Sequence, residues 1–203
     1  MVCLEATKLV EVVVASSNTG KIAEIKALFN NSTVTILSIG DEGVPHLDID
    51  ETGTTFAENA ELKARAFAAA TNLPVLADDS GIEVDALNGN PGVKSARWFP
   101  GTDQDRNDAL LAKLDGEKNR TAHFKTVVCY LENASATPHF FEGVIDGTIN
   151  NAPMGTEGFG YDPLFIPKGY SQSFAELGVS VKNTLSHRAI AFTKAREYIQ
   201  GQK

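Results

Sequence analysis

A β-branched run, "KLVEVVVA" at 8–15, passes through the polar stretch "SSNTGK" straight into "IAEIKALF", where Ile22, Ile25, Leu28 and Phe29 recur at helical spacing. Strand, short polar turn and helix in direct succession form the building unit of α/β folds, and this unit constrains the architecture more than any other feature of the chain. A second strand is predicted over Val34 to Ile39. After a Gly- and Asp-containing loop, Thr55 and Glu58 form a T-x-x-E capping box that opens a long Ala-rich helix to about Thr71. Pro74 ends that helix, and the short strand Val75 to Ala77 delivers "DDSG" at its mouth. A further helix is predicted from about Asp103 to Leu114. Two long strand candidates, Thr121 to Glu132 and His139 to Ile149, follow each other closely enough to predict an antiparallel hairpin. The last helix runs from about Ser186 to Gln200, with Ile190, Ala195, Tyr198 and Ile199 as its apolar stripe. A mixed α/β architecture follows, and without repeats, low-complexity tracts or a Pro/Ser-rich linker the simplest organisation is one folding unit over residues 1–203.

Composition excludes several classes. With 203 residues and 42% hydrophobic content the chain can bury a good core, which excludes a disordered or fibrous protein. A net charge of -8 leaves no basic footprint for a nucleic-acid polymer, so any phosphate must be held locally. Cys3 and Cys129 form no CxxC, which fits reduced thiols in a cytoplasmic protein and argues against structural zinc. The N-terminal apolar run is cut by Glu11 and is too short for a signal peptide or a membrane span.

Polar segments collect at strand ends and helix starts, where α/β proteins bind ligands. "ASSNTGK" feeds a helix N-terminus, whose free N–H groups and dipole favour an anion, and Lys21 adds a point charge; the same Ser17 or Asn18 also serves as an ordinary helix cap. It is not a Walker A loop, which needs glycine at Ala15 and Ser or Thr at Ile22. Glu51 and Asp79, on separate loops, can share a hard divalent cation; alone, each is an unremarkable loop acid. Asn59 and Lys63 lie one helical turn apart, as they would on any exposed face. "GFGYDPLF" fails as a dinucleotide fingerprint because its sixth position is Pro163 and no helical pattern follows. It leaves Phe159 between glycines as a stacking platform or a core residue, with Asp162 as an acceptor. Lys182, His187 and Arg188 group three donors at the entry to the last helix.

Taken together, "SSNTGK", "ETGTTFAENAELKAR", "LADDSGIEVDALNGNPGVKSARW", "GTEGFGYDPLF" and "SHRAIA" stand in an order and spacing that resembles the inosine-triphosphate pyrophosphatase family, the XTP/dITP diphosphatases of deaminated purine nucleotides. The resemblance runs from Val12 to the last helix. It implies an elongated mixed sheet flanked by helices, two lobes with the active cleft between them, and a homodimer. It places the phosphate loop on Ser16, Ser17, Asn18, Thr19, Gly20 and Lys21, metal ligands for Mg2+ on Glu51 and Asp79, and the general base also on Asp79. Ser80 is implied as a substrate contact, Lys63 as facing the phosphates, and Phe159, Gly160, Tyr161 and Asp162 as the base-binding segment; Lys182, His187 and Arg188 close over the nucleotide. Two departures stand out: Ser17 occupies a position where family loops often carry glycine, and Ser180 and Val181 stand where many members carry acids, which weakens the expected anchoring of Lys182.

The expected reaction is hydrolysis of ITP, dITP or XTP between the α- and β-phosphates, with Asp79 activating water and Asp78 tying down its turn. Arg188 or His187 facing the six-carbonyl would select hypoxanthine and xanthine over adenine. The alternatives are a pyrophosphatase for other modified nucleotides, a non-catalytic nucleotide sensor, which has no need of both acids, and an aspartic protease built on Asp79-Ser80-Gly81, which leaves the other motifs without a purpose.

Overall fold

The computed structural model describes residues 9–202. Lys8, the first residue of the expected strand, and Cys3 lie outside them. A six-stranded mixed sheet in the order β2-β1-β3-β4-β5-β6 organises the molecule. The strands are β1 (Val10–Val14), β2 (Val34–Ser38), β3 (Val75–Val84), β4 (Thr121–Leu131), β5 (His139–Ile149) and β6 (Phe165–Pro167). β1 pairs in parallel with β2 and β3, as strands joined through crossover helices must, while β4 and β5 form the expected antiparallel hairpin. Helices α1 (Thr19–Leu28), α2 (Phe56–Thr71), α3 (Asp103–Lys113), α4 (Phe174–Leu185) and α5 (His187–Gly201) pack around the sheet.

The local signals that the sequence carries are realised. Thr55 accepts from the Glu58 N–H while the Glu58 carboxylate accepts from the Thr55 N–H, so the capping box closes as expected. Asn72, in the left-handed conformation at φ 54°, terminates α2 just before Pro74.

One expectation needs correction. β3 does not stop at Ala77: it runs on to Val84, so Asp78 and Asp79 are strand residues rather than loop acids at a strand mouth. The cause is non-local, since β4 pairs with every residue of β3 from Val75↔Leu131 to Val84↔Ala122. Four further elements were not expected, two of them the 3-10 segments Asp85–Leu87 and Gly92–Arg97 that follow β3. α4 is opened by a second capping box, Ser173 with Glu176, but is broken inside by Gly178 at φ 80°, ψ 168°, which leaves no continuous apolar period to read. Strand β6 is only three residues long and depends on β5 for its pairing.

Three apolar clusters form the interior, and β3 contributes to all of them: Leu76 to one, Val75 and Ala77 to the second, Ile82 and Val84 to the third. The first two lie on either side of the β1 end of the sheet, and the third gathers Leu110, Phe124, Phe165 and Phe174 at the far end. Because β1 meets β3 only at Val13↔Val75 and Val14↔Leu76, β3 beyond Ala77 loses its parallel neighbour. A cleft opens there, lined from both ends of the sheet.

Candidate active site

Where β1 ends, the chain turns through Ser16 to Asn18 into α1. Asn18 is the helix cap, its side-chain oxygen accepting from the Lys21 N–H at 3.0 Å, while the Ser16 hydroxyl accepts from the Asn18 N–H at 3.3 Å. The ordinary capping role is therefore real, and it holds the N-terminal turn of α1 at the cleft. Ser16, Ser17, Asn18 and Lys21 line the cavity, which measures about 470 Å³; Thr19 does not, and Gly20 is covered by the Phe159 ring. A Cβ at Gly20 would stand 2.8 Å from that ring, so only glycine permits the contact.

Adjacent strand residues point to opposite faces of a sheet, and this separates the two acids. Asp78 faces α5. Its Oδ2 accepts from Lys21 Nζ at 2.9 Å and lies 3.7 Å from Arg188 Nε. Although burial opposes it, the surrounding cations Lys21, Arg188 and Lys63 hold the Asp78 carboxyl well below the usual carboxylate range. Asp79 faces α2, where Asn59 Nδ2 donates to Oδ2 at 3.0 Å and the Ser80 N–H donates to Oδ1 at 2.9 Å. Burial raises its pKa above the ordinary aspartate value, against the pull of Lys63, and the nearby Glu51 charge adds to the rise.

A prediction about pH follows from this contrast. Asp78 contributes stability above the unfolded value near ~4, and that contribution drains away as pH falls toward its lower folded value. Asp78→Asn should therefore lower stability at pH 7 by about 1.5 to 3 kcal/mol, the worth of a hydrogen bond to a charged group. The gap between variant and wild type should close as pH is taken below about 4 in a series of thermal melts. For Asp79 the sign is opposite: its ionisation costs stability, and the cost vanishes as pH falls.

Asn59 and Lys63 do not form an exposed face. Asn59 is fully buried, and its Oδ1 accepts from the Gly53 N–H at 2.8 Å, which turns its amide toward Asp79. Lys63 donates to Glu51 Oε1 at 2.6 Å; on the other side Arg97 donates to Glu51 Oε2 at 2.7 Å. Glu51 is half-buried, and although that burial opposes it, these two cations hold the carboxyl below its ordinary value.

At the other wall, Asp162 Oδ2 accepts from the Phe159 N–H at 2.9 Å and from Lys182 Nζ at 2.5 Å. Lys182 also pairs with Glu24 Oε1 at 2.9 Å. The weaker anchoring expected from Ser180 and Val181 is thus not found: Lys182, 2% exposed, takes its acids from distant segments. It also sits on the last turn of α4 rather than at the entry to the last helix. Its ammonium lies 4.4 Å from the centre of the Phe159 ring. Gly160 donates its N–H to Asp103 at 2.7 Å. Tyr161 lines the cavity, but its hydroxyl donates to the Ser95 carbonyl at 3.0 Å and burial pushes its ionisation up to about 12.

Ser186 caps α5, placing His187 and Arg188 in its first turn. Gly143 allows this, since a Cβ there would lie 2.0 Å from the His187 carbonyl oxygen. Arg188 is committed within the protein: it pairs with Glu24, donates to Ser80 Oγ at 3.0 Å and neighbours Asp78. Ser80 is therefore held by Arg188 as well as lining the cavity. His187 stacks on Phe124 with centroids 4.6 Å apart; burial, reinforced by Arg188, Lys182 and Lys21, keeps it neutral well below its usual titration range. Its Nδ1 has no hydrogen-bond partner among the described residues. Sequence reading missed Glu24, Arg97 and Phe124. Only Glu24 carried a signal, as an acid between Ile22 and Ile25 on the apolar stripe of α1.

Among the described residues no group of three or more acids, histidines or cysteines is gathered for a metal. The hard oxygen set on offer is Glu51 with Asp79, close enough to repel each other and both facing the cavity. Two carboxylates suit a small hard cation that completes its shell with water and phosphate oxygens, so the residues fit Mg2+.

Residues 12–198 match the model of the Ham1 family. The dITP/XTP pyrophosphatase of Streptomyces coelicolor is 44% identical over 91% of this chain and 94% of that protein, and that of Shouchella clausii is 44% identical over 94% and 97%. A solved HAM1 protein from Coxiella burnetii superposes with a TM-score of 0.86 at 38% identity, covering 95% of this chain and 99% of that one. The Staphylococcus aureus Ham1 protein gives 0.83 at 38% identity over 95% and 100%. With the match running from β1 into the last turns of α5 and the same fold around the cleft, the chain belongs to the Ham1 family.

Proposed function

We propose that this protein hydrolyses deaminated purine nucleoside triphosphates, ITP, dITP and XTP, to the monophosphate and pyrophosphate, with Mg2+ held by Glu51 and Asp79. The observation that carries the reading is the divergence of the two adjacent acids. One is locked among cations on one face of β3; the other is buried with raised basicity on the face where Glu51 and Lys63 stand. Asp78 is ion-paired with Lys21 and does not line the cavity, whereas Asp79 lines it and can accept a proton from a water bound there. Asp79 orients a water and takes its proton as the water oxygen attacks phosphorus; the bridging P–O bond breaks and pyrophosphate leaves. Asn59 aims the Asp79 carboxylate, and Lys21 and Lys63 steady the polyphosphate. A bound Mg2+ supplies charge compensation on the phosphoryl oxygens.

For the base, His187 lines the cavity with a neutral ring held against Phe124; in the tautomer that carries its proton toward the cavity it donates to the six-carbonyl, and it meets an amino group there as a second donor. Phe159 offers the stacking face. No described helix is long and apolar enough to cross a membrane. A homodimer in the cytoplasm belongs to the same proposal, and size-exclusion chromatography checks the assembly.

The direct experiment incubates the protein with ITP and Mg2+ and measures products. IMP and pyrophosphate should appear in equal amounts, and EDTA should abolish turnover. Release of single phosphates, or turnover indifferent to EDTA, would sink the assignment.

A further inference from the structure

The Phe159 ring, which the proposed function stacks on the base, stands on a turn with glycine on either side, Gly158 at φ 81° and Gly160 at φ 63°, where the backbone has little intrinsic stiffness. Asp162 fixes the shape of the turn from within: its carboxylate accepts from the Phe159 N–H, and its own N–H donates to the Phe159 carbonyl at 3.3 Å. That leaves open where the turn stands against the cavity. Helix α3 decides it. Asp103 and Asn107 lie one helical turn apart, and both reach Gly160: Asp103 Oδ2 accepts from the Gly160 N–H at 2.7 Å, and Asn107 Nδ2 donates to the Gly160 carbonyl at 3.1 Å. The other Asp103 oxygen is held by Arg106 at 2.5 Å, which orients the carboxylate. The peptide units on both sides of the Gly160 Cα are thereby tied to a helix that is itself locked into the third apolar cluster by Leu110 and Leu114.

An amide is an unfavourable filling for the place Asn107 occupies. The residue is 2% exposed, and its Oδ1 has no hydrogen-bond partner among the described residues. A near-isosteric leucine would leave no orphaned acceptor, and the carbonyl it abandons belongs to a half-buried residue that lines the cavity, within reach of water. Stability therefore does not account for Asn107. Nor does direct contact, since Asn107 does not line the cavity whereas Gly160 does. We propose that Asn107, together with Asp103, is a positioning residue for base recognition, setting the Phe159 ring at the depth and tilt at which a purine stacks; this rests on the reading of that ring as the stacking face.

Calorimetric titration separates the two ends of the substrate. In Asn107→Leu, IMP should bind about five- to twentyfold more weakly, part of the worth of an aromatic stack on a base. Inorganic pyrophosphate with Mg2+ should bind within about twofold of wild type, because Lys21 and Lys63 are untouched, and Tm should equal or exceed that of wild type. Asp103 gives a second arm that spares the helix cap, since the capping box of α3 is Thr102 with Asp105. Asp103→Ala should weaken IMP binding about three- to tenfold, and Asp103→Asn, which keeps an acceptor for the Gly160 N–H, should restore most of it. A residue that only supports α3 would lower Tm in Asn107→Leu and leave IMP affinity within twofold of wild type; that outcome, parallel loss of IMP and pyrophosphate binding, or no recovery in Asp103→Asn overturns the positioning role. Wild-type protein that neither binds IMP nor releases pyrophosphate from ITP overturns the proposed function itself, and this role with it.

Discussion

Asp79→Asn should reduce ITP turnover by at least about a hundredfold while leaving a folded protein. The substitution removes the negative charge through which the proposed mechanism has Asp79 act both as metal ligand and as proton acceptor, so the two contributions fall together. Its effect on stability is a contest between small terms. Relief of a buried charge whose pKa is raised favours the variant, whereas an amide has one acceptor oxygen where the carboxylate offered two, to the Ser80 N–H and to Asn59 Nδ2. Losing one of those acceptors costs about 1 kcal/mol, comparable with what charge relief returns, so Tm should stay within about 4 °C of wild type. The site is a strand position 6% exposed, not the open loop the sequence suggested, so this near-cancellation matters. Turnover near normal in this variant, measured at saturating Mg2+, would show that the base lies elsewhere.

Arg188→Ala should be the most destabilising of the substitutions considered. Reading the sequence alone, one sets Arg188 against the six-carbonyl of the base and expects a loss confined to substrate recognition. In the structure the guanidinium is buried between Glu24, Asp78 and Ser80. Its removal leaves Glu24 with Lys182 alone and Asp78 with Lys21 alone, in surroundings that screen charge poorly. Breaking a buried pair by deleting one member costs about 3 to 5 kcal/mol, which at this chain length lowers Tm by roughly 6 to 20 °C. ITP hydrolysis falls as well, because the first turn of α5 loses its attachment to α1 and His187 moves with it. A variant with wild-type Tm that has lost its preference for ITP over ATP would restore the base-reading role to Arg188. Double substitution of Glu24 and Arg188 separates the two: if the pair is structural, Glu24→Gln in the Arg188→Ala background recovers part of the lost stability by removing the stranded charge.

What the sequence by itself determined are features written within a turn or two of the chain. The strand that feeds α1 through Asn18, the capping box of Thr55 and Glu58, the stop before Pro74, and the β4–β5 hairpin rest on periodicity, caps and turns that need no distant partner. The linked motifs likewise sufficed to name the family, and the cavity gathers nearly all of the residues they nominate. Only the tertiary structure decided what each of those residues touches. Asp78 and Asp79 are alike in sequence, and their difference arises because β4 extends β3 through both of them, so that the pleat turns one toward Lys21 and Arg188 and the other toward Asn59 and Glu51. Glu24 meets Arg188 across 164 positions and Arg97 meets Glu51 across 46, separations at which no local pattern can specify a partner. Burial and pairing of charge depend on which elements pack together, and in this protein those long-range contacts set which acid is paired with cations, which acid faces the cavity and which lysine and arginine are anchored.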